Sequence, residues 1–305
     1  MNRPKKVFAF IDSGIDGAMS MIILKWIYGS GNVNYVSTFN GGFTKTYTEW
    51  INNNDINRYD LIFVIDLDIP ETIIPQIDHK NICIVDHHTG NIDRKLLYKH
   101  ATCLLAHSSS SSKILHNIYK QQLQSLTSPQ KQLIALCDSC DTYKFNVPKS
   151  RDLLTVYNNS TTQKTKVLRF EADFLNGFQE FTDQQNNIIL LYNNKVESVK
   201  KELEVYSASF NFNKKTYKGI STFCTSCTNE ISDFIIDKYN ADVAFIINSD
   251  TSNVSFRRSC TTDIDVSDLA KKLVSGNGYS YAAAGKLTDT FLVFSKIFTH
   301  VNDNT

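Results

Sequence analysis

Three apolar runs within the first ninety residues end on carboxylates or histidines, and this pattern constrains the fold more than any other feature of the chain. The runs are KVFAFID (6–12), YDLIFVIDLD (59–68) and NICIVDHH (81–88). Each has the length and the Val, Ile and Phe content of a buried strand. A further run, NVNYVSTF (32–39), reads as another strand. Between them lie segments with helical character: GAMSMIILKWIYGSG (17–31), KTYTEWINNN (45–54) and PETIIPQI (70–77), the last opened by proline. Strands and helices in alternation predict an α/β fold with a parallel sheet covered by helices. Ligands of such sheets lie beyond the carboxyl ends of the strands. Asp12, Asp66 with Asp68, and Asp86-His87-His88 stand at those ends.

Two helices are expected next, over 110–126 and 128–143. The run HSSSSS (107–112) leads into the first. Serine is a good helix cap, and a serine-rich helix N-terminus can also bind phosphate, so both roles stand open. Residues 146–165 read as a polar loop, and 166–206 as a long helical connector interrupted near Gly177. From about 207 a second α/β unit begins, with strands over 241–248 and 252–259 and helices over 228–239 and 265–274. No internal repeat is evident.

The bulk properties narrow the function class. The 305 residues carry 32 basic and 31 acidic side chains, so contact with nucleic acid must come from a local patch. The longest apolar runs, such as LIFVI (61–65), are too short to cross a bilayer, and MNRPKKVFAFID reads as a first strand, not a signal peptide. Seven cysteines, an odd number, indicate free thiols in a reducing compartment, which implies a cytoplasmic location. Cys137 with Cys140 and Cys224 with Cys227 form two CxxC pairs far apart in the chain. They are expected to be buried or incidental cysteines, not a zinc site.

The chemistry concentrates at VDHHTG. By itself a DHH tripeptide is a turn with a solvated histidine. Asp12, Asp16 and Asp66 at neighbouring strand ends, and Asp141 at the end of a predicted helix, weaken that reading. Oxygen ligands beside imidazole nitrogen suit Mn²⁺ or Mg²⁺ better than a structural zinc. Two such ions about 3.5–4 Å apart would hold the attacking and leaving oxygens of a phosphate ester.

In order along residues 7–145, DGAMS, YDLIFVIDLDI, IVDHHTG and LCDSCDTYKF resemble the motifs of the DHH phosphoesterase superfamily. NVSFRRSCTTDIDVSDLAKKLVSGNGYSYAAAGKL (253–287) is similar to its second domain, DHHA1, where an Arg-Ser pair, an xDVSxLA helix and a GGGHxxAAG loop grip the substrate. The superfamily includes RecJ-type exonucleases, nanoRNases, pAp phosphatases, cyclic-dinucleotide phosphodiesterases and manganese pyrophosphatases. The last lack the GGGH-type loop and fit less well. The resemblance implies an N-terminal parallel-sheet DHH domain (1–160), a helical connector (161–206) and a smaller α/β DHHA1 domain (207–305).

Carried over residue by residue, the resemblance implies one or two Mn²⁺ or Mg²⁺ ions. Asp66 would bridge them. Asp16, His87 and Asp141 would hold the second ion, and Asp12 would stand at the first. His88 would face the scissile phosphate and Asp86 would orient the histidines, with Asp68 outside the ligand set. Arg258 and Ser259, with the loop Gly276, Asn277, Gly278 and Tyr279, would bind substrate; Arg257 is an alternative to Arg258. The family's His-x-Asp-x-Asp-Gly appears here as Asp12-Ser13-Gly14-Ile15-Asp16-Gly17, so a histidine has become Asp12 and a carboxylate has become Gly14. The GGGH loop has also lost its histidine.

Two functions follow. One is a metal-dependent phosphodiesterase acting on short single-stranded RNA or DNA, or on a small nucleotide, with no membrane partner and with a homodimer as a compatible assembly. The other is a catalytically impaired relative that serves as a nucleotide-binding or protein-interaction module.

Overall fold

The five parallel strands of the first sheet take their order from their burial. β1 (Val7–Asp12) is an inner strand, between β2 (Val33–Thr38) and β3 (Leu61–Ile65), and β4 (Ile82–Asp86) and β5 (Thr102–Leu105) complete the order β2-β1-β3-β4-β5. The structure, a computed structural model, describes residues 5–162 and 165–301. Along each inner strand the side chains alternate between two apolar layers, the period-2 pattern of a sheet covered on both faces. Val7, Ala9, Ile11, Phe63, Ile65 and Val85 point into one layer. Phe8, Phe10, Ile62, Val64, Ile82 and Ile84 point into the other.

The first layer is covered by α1 (Ile15–Tyr28) and by helices from later in the chain; the second is covered by α2 (Phe43–Asn53) and α3 (Ile74–Ile77). α1 buries almost all of its first three turns and stops at Gly29, whose φ of +88° suits glycine. After β4 come α4 (Thr89–Asp93), α5 (Ser111–Ile118), α6 (Ser128–Asp141), α7 (Ser150–Asn159), α8 (Lys166–Phe174) and α9 (Asp183–Lys201). A complete capping box at Thr127 and Gln130, with Pro129 in the first turn, starts α6 where the sequence predicted. The expected helix over 110–126 is shorter, ending at Ile118 and continuing as turns.

The polar loop expected over 146–165 is corrected: α7 lies within it. Its buried Leu153, Val156 and Tyr157 are spaced as one helical face, and the flanking Arg151, Asp152, Asn158 and Asn159 masked that periodicity. β5 also escaped the sequence reading, because it is short and none of its residues is fully buried.

The chain divides into two compact units between Ile189 and Leu190, within α9. α8 belongs to the first unit, since Val167, Phe170 and Phe174 join its core. The second unit is built on seven strands: β6 (Val205–Phe212), β7 (Lys215–Phe223), β8 (Val243–Asn248), β9 (Asn253–Arg258), β10 (Asn277–Tyr279), β11 (Ala282–Lys286) and β12 (Thr299–His300). Their order is β10-β11-β9-β8-β7-β6-β12, with β7 and β8 parallel and the other pairs antiparallel. α10 (Thr228–Tyr239) covers one face; α11 (Val266–Val274) and α12 (Asp289–Ser295) cover the other, around Phe245, Phe256 and Phe291. Among the described residues no helix is long and apolar enough to cross a membrane.

Candidate metal centre

The strand order reverses between β1 and β3, and the acidic cluster gathers at the carboxyl ends of the strands on either side of that reversal. Asp12 ends β1, Asp16 lies in the first turn of α1, Asp66 follows β3, and Asp86-His87-His88 end β4. Asp141 arrives from the last position of α6. Two groups of donor atoms lie within 4.8 Å of one another: Asp16, His87 and Asp141; and Asp66, Asp86, His87 and His88. Residues separated by more than a hundred positions in sequence therefore meet at His87.

Asp16 is almost wholly buried and is fixed by a helix that the sequence reading did not connect with it. Its two carboxylate oxygens accept the Ser111 and Ser112 amides at 2.7 and 2.9 Å. These amides open α5, so the helix dipole and two charge-assisted hydrogen bonds act together. The phosphate role left open for the serine run is corrected by this contact: the Ser111 and Ser112 amides hold a carboxylate of the chain itself. Ser110 caps α5 in the expected way, with its hydroxyl accepting the Lys113 amide.

Asp66 is 6% exposed and adopts φ +59°, a left-handed conformation that aspartate tolerates better than most residues. Its Oδ1 is buried and meets no hydrogen-bond partner among the described residues. The His87 Nε2 lies 3.5 Å from Asp66 Oδ1 and 3.5 Å from Asp141 Oδ2. On its other side His87 Nδ1 is 3.3 Å from the Ser108 carbonyl. A carbonyl only accepts, so Nδ1 donates there and Nε2 is the ring nitrogen turned toward the two carboxylates. Two carboxylate oxygens converging on one imidazole nitrogen in a buried place repel each other unless positive charge lies among them. Burial, followed by the charge of Asp16, pushes the carboxyls of both Asp66 and Asp141 well above the usual 3.8. The donor set could therefore hold a hard divalent cation: carboxylate oxygens, one imidazole nitrogen, and an orphaned buried oxygen.

Asp86 is fully buried and orients both histidines. Its Oδ1 accepts the His87 amide at 2.8 Å and the His88 Nδ1 at 2.7 Å. Burial lowers the His88 pKa, but the Asp86 hydrogen bond and charge outweigh it and raise the value to about 9. The Asp86 Oδ2 accepts from Asn91, a residue the sequence reading missed. Asn91 is completely buried; its amide also donates to the Leu67 carbonyl at 2.7 Å, and its Oδ1 accepts the Ile69 amide at 3.1 Å. It thus ties the end of β4 to the turn that carries Asp66. Only its position, five residues beyond Asp86, could have signalled this. Asp68 stands outside the cluster and pairs with Arg94.

Asp12 falls in neither donor group. Its Oδ2 accepts the Gly14 amide at 2.6 Å, and a Cβ on Gly14 would sit 2.7 Å from that same oxygen. The Asp12 side chain therefore occupies the space where a side chain at 14 would begin. Burial raises the Asp12 pKa, opposed by the Gly14 and Ser13 amides and by the charge of Lys166. Lys166 lies over the Tyr157 ring, 5.0 Å from its centroid, and the Tyr157 hydroxyl donates to the Ser13 and Gly14 carbonyls. Gly17 is required for close approach, because a Cβ there would lie 2.1 Å from the Asp12 carbonyl oxygen.

In the second unit the predicted substrate-binding residues divide. Arg258 donates through Nη1 to the Thr262 and Ile264 carbonyls at 3.1 and 3.3 Å, which holds the loop before α11. Arg257 donates to Asn229 on α10. The Ser259 hydroxyl is 2.8 Å from that of Thr261, and its amide donates to the Asp242 carbonyl. The predicted loop is the hairpin of β10 and β11, with Asn277, Gly278 and Tyr279 opposite Ala284, Ala283 and Ala282. Gly276 precedes it, and a Cβ there would lie 2.3 Å from the Ala284 carbonyl oxygen. The Tyr279 and Tyr281 rings are stacked at 5.4 Å and 4°, both exposed at this edge.

No family model and no curated protein matches the sequence. Solved structures do. The DHH domain of a member of the S1p family of ribosomal proteins is 11% identical with a TM-score of 0.64, over 96% of this chain and 86% of that one. A pGpG-specific phosphodiesterase, PggH from Vibrio cholerae, is 10% identical with a TM-score of 0.57, over 96% of each chain. RecJ from Thermus thermophilus, in complex with Mn²⁺, is 11% identical with a TM-score of 0.51, over 96% of this chain and 51% of that one. The fold of this chain is the DHH-type fold that its ordered motifs resemble.

Proposed function

We propose that this chain is a metal-dependent phosphoesterase acting on short single-stranded oligonucleotides or small nucleotides. The observation that carries the reading is the convergence of His87 Nε2, Asp66 and Asp141 beside the buried, unpartnered Oδ1 of Asp66. Asp16, Asp66, His87 and Asp141 would hold the ion. When bound, Mn²⁺ or Mg²⁺ supplies Lewis acidity toward a phosphoryl group and toward water.

The chain's own residues would orient and protonate. Asp86 holds His88 through Nδ1, so the remaining ring nitrogen, Nε2, would carry a proton to a phosphoryl oxygen. Asn91 would keep Asp86 in place through its short hydrogen bond. Tyr279 and Tyr281 offer aromatic faces on which a base could stack. The similar structures support the substrate class in kind, since one is a pGpG-specific phosphodiesterase and another is RecJ solved in complex with Mn²⁺.

One observation favours the impaired relative: Gly14 has no side chain, and Asp12 stands outside the donor groups under the influence of Lys166. The two readings separate on incubation with Mn²⁺ and labelled di- to pentanucleotides, beside a His87→Ala/Asp141→Ala control. Metal-dependent products absent from the control support the enzyme. No product at high protein concentration, from oligonucleotides or small nucleotides, sinks it.

A further inference from the structure

We infer that the first unit carries a second, metal-independent ligand site, suited to a small nucleotide, between α5 and α6. A cavity of about 490 Å³ opens there. Its cations come from three places in the chain: Lys113 on α5, Lys120 on the turn that follows, and Lys131 on α6. Its apolar floor is Leu123 and Ile134, with Ala135 beside them. No carboxylate lines it among the described residues. None of the residues just named belongs to the metal centre.

His116 marks this as more than a patch of surface lysines. Its Nδ1 is buried and meets no hydrogen-bond partner among the described residues. Burial, followed by the charge of Lys113 and then those of Lys120 and Lys131, lowers its pKa against an opposing side-chain interaction with Asn117, so the neutral ring predominates at pH 7 and all three ammonium groups act on it. An unmet polar atom in a buried position costs free energy that a ligand hydrogen bond would recover. The Gln124 side chain lines the same cavity and adds an amide donor and acceptor.

The chemistry of the lining selects the ligand class. Three lysines in a place without carboxylates suit phosphate oxygens. An apolar floor with a neutral imidazole and an amide suits a flat, hydrogen-bonding ring. The volume lies within the usual range for small-molecule sites, about 300–1,000 Å³. A nucleoside phosphate combines both halves; inorganic phosphate would use only the lysines.

The test is a fluorescence titration of the full chain with N-methylanthraniloyl-ATP in EDTA, so that a divalent ion plays no part. Saturable binding is expected, with competition by ATP better than by pyrophosphate. Lys120→Glu/Lys131→Glu should weaken binding about tenfold or more by reversing charge. Ala135→Trp, which fills the floor without altering charge, should weaken it to a similar degree, and His87→Ala should leave it unchanged. Absence of saturable binding overturns the inference, as does wild-type affinity in both cavity variants. Pyrophosphate competing as well as ATP overturns the nucleotide assignment. Loss of binding in His87→Ala alone would place the ligand at the metal centre instead. Because the titration excludes divalent ions, its failure leaves the phosphoesterase reading standing, and the reverse also holds.

Discussion

The acidic cluster of the first unit and the β10–β11 hairpin of the second were both expected to bind ligand, yet their polar groups are in opposite conditions. In the cluster, buried charges lack compensation: Asp66 Oδ1 has no hydrogen-bond partner, and two carboxyls are held far above their usual pKa. Around the hairpin, Arg258 is already bonded to the Thr262 and Ile264 carbonyls, and Arg257 to Asn229. A fold retains buried, mutually repelling groups only when something outside the chain stabilises them, whereas groups satisfied by the chain are explained by the fold alone.

The sharpest way to break this comparison is at the converging atoms. His87→Ala should lower Mn²⁺-dependent cleavage about a hundred- to a thousandfold, as loss of a group acting directly on transition-state charge does. Kinetics on a trinucleotide would check it; a loss under tenfold would move the chemistry elsewhere. One step outward, Asn91→Ala should reduce metal affinity or activity about 10–100-fold, the range for residues that orient ligands. Calorimetry with Mn²⁺ would measure it, and an unchanged affinity would reduce Asn91 to a packing residue.

The pH dependence of stability follows from the same cluster. Asp66 and Asp141 sit above their usual 3.8, and His88 is raised from 6.5 to about 9. All three bind protons more tightly in the folded protein than in the unfolded one. Their stabilisation is fully present below the unfolded values, 3.8 for the carboxyls and 6.5 for His88, and is lost as pH rises through the folded ones, about 9 for His88. The metal-free protein should therefore melt at progressively lower temperature as pH climbs from about 5 to 9, and Mn²⁺ should remove that slope. A flat metal-free profile by scanning calorimetry would contradict the account.

Smaller effects sharpen the other side. Arg258→Ala should cost about 1–3 kcal/mol of stability, the range for hydrogen bonds made by a charged group, visible as a lower denaturant midpoint. If stability is unchanged while KM rises, Arg258 acts on substrate instead. Lys166→Met should tighten Mn²⁺ binding a few-fold by removing a competing charge beside Asp12. Weaker binding would mean that Lys166 supports the site.

Much of the first unit was legible because strand periodicity and the acidic strand ends coincide. β1, β3 and β4 are continuous apolar runs, and Asp66, Asp86 and His87 follow them directly. α7 was not legible, since only three buried apolar residues, Leu153, Val156 and Tyr157, define its face among polar ones. The clamp on Asp16 was also hidden. It depends on backbone amides of Ser111 and Ser112, which side-chain patterns do not reveal, and on a contact across nearly a hundred residues. Asp12 was expected at the first ion from the motif resemblance; its Oδ2 accepts the Gly14 amide and it joins neither donor group. Gly14 explains why: without a side chain at 14, the Asp12 carboxylate fills that space.

Calorimetric titration of Mn²⁺ into the wild-type chain and into Asp66→Asn bears most directly on the cluster as a cation site. The substitution keeps the shape and removes the charge at the atom that lacks a partner. Wild type should bind at least one ion, and Asp66→Asn should lose that binding while melting no lower than wild type without metal. Equal Mn²⁺ affinity in the two proteins, or no binding in either, would contradict the account.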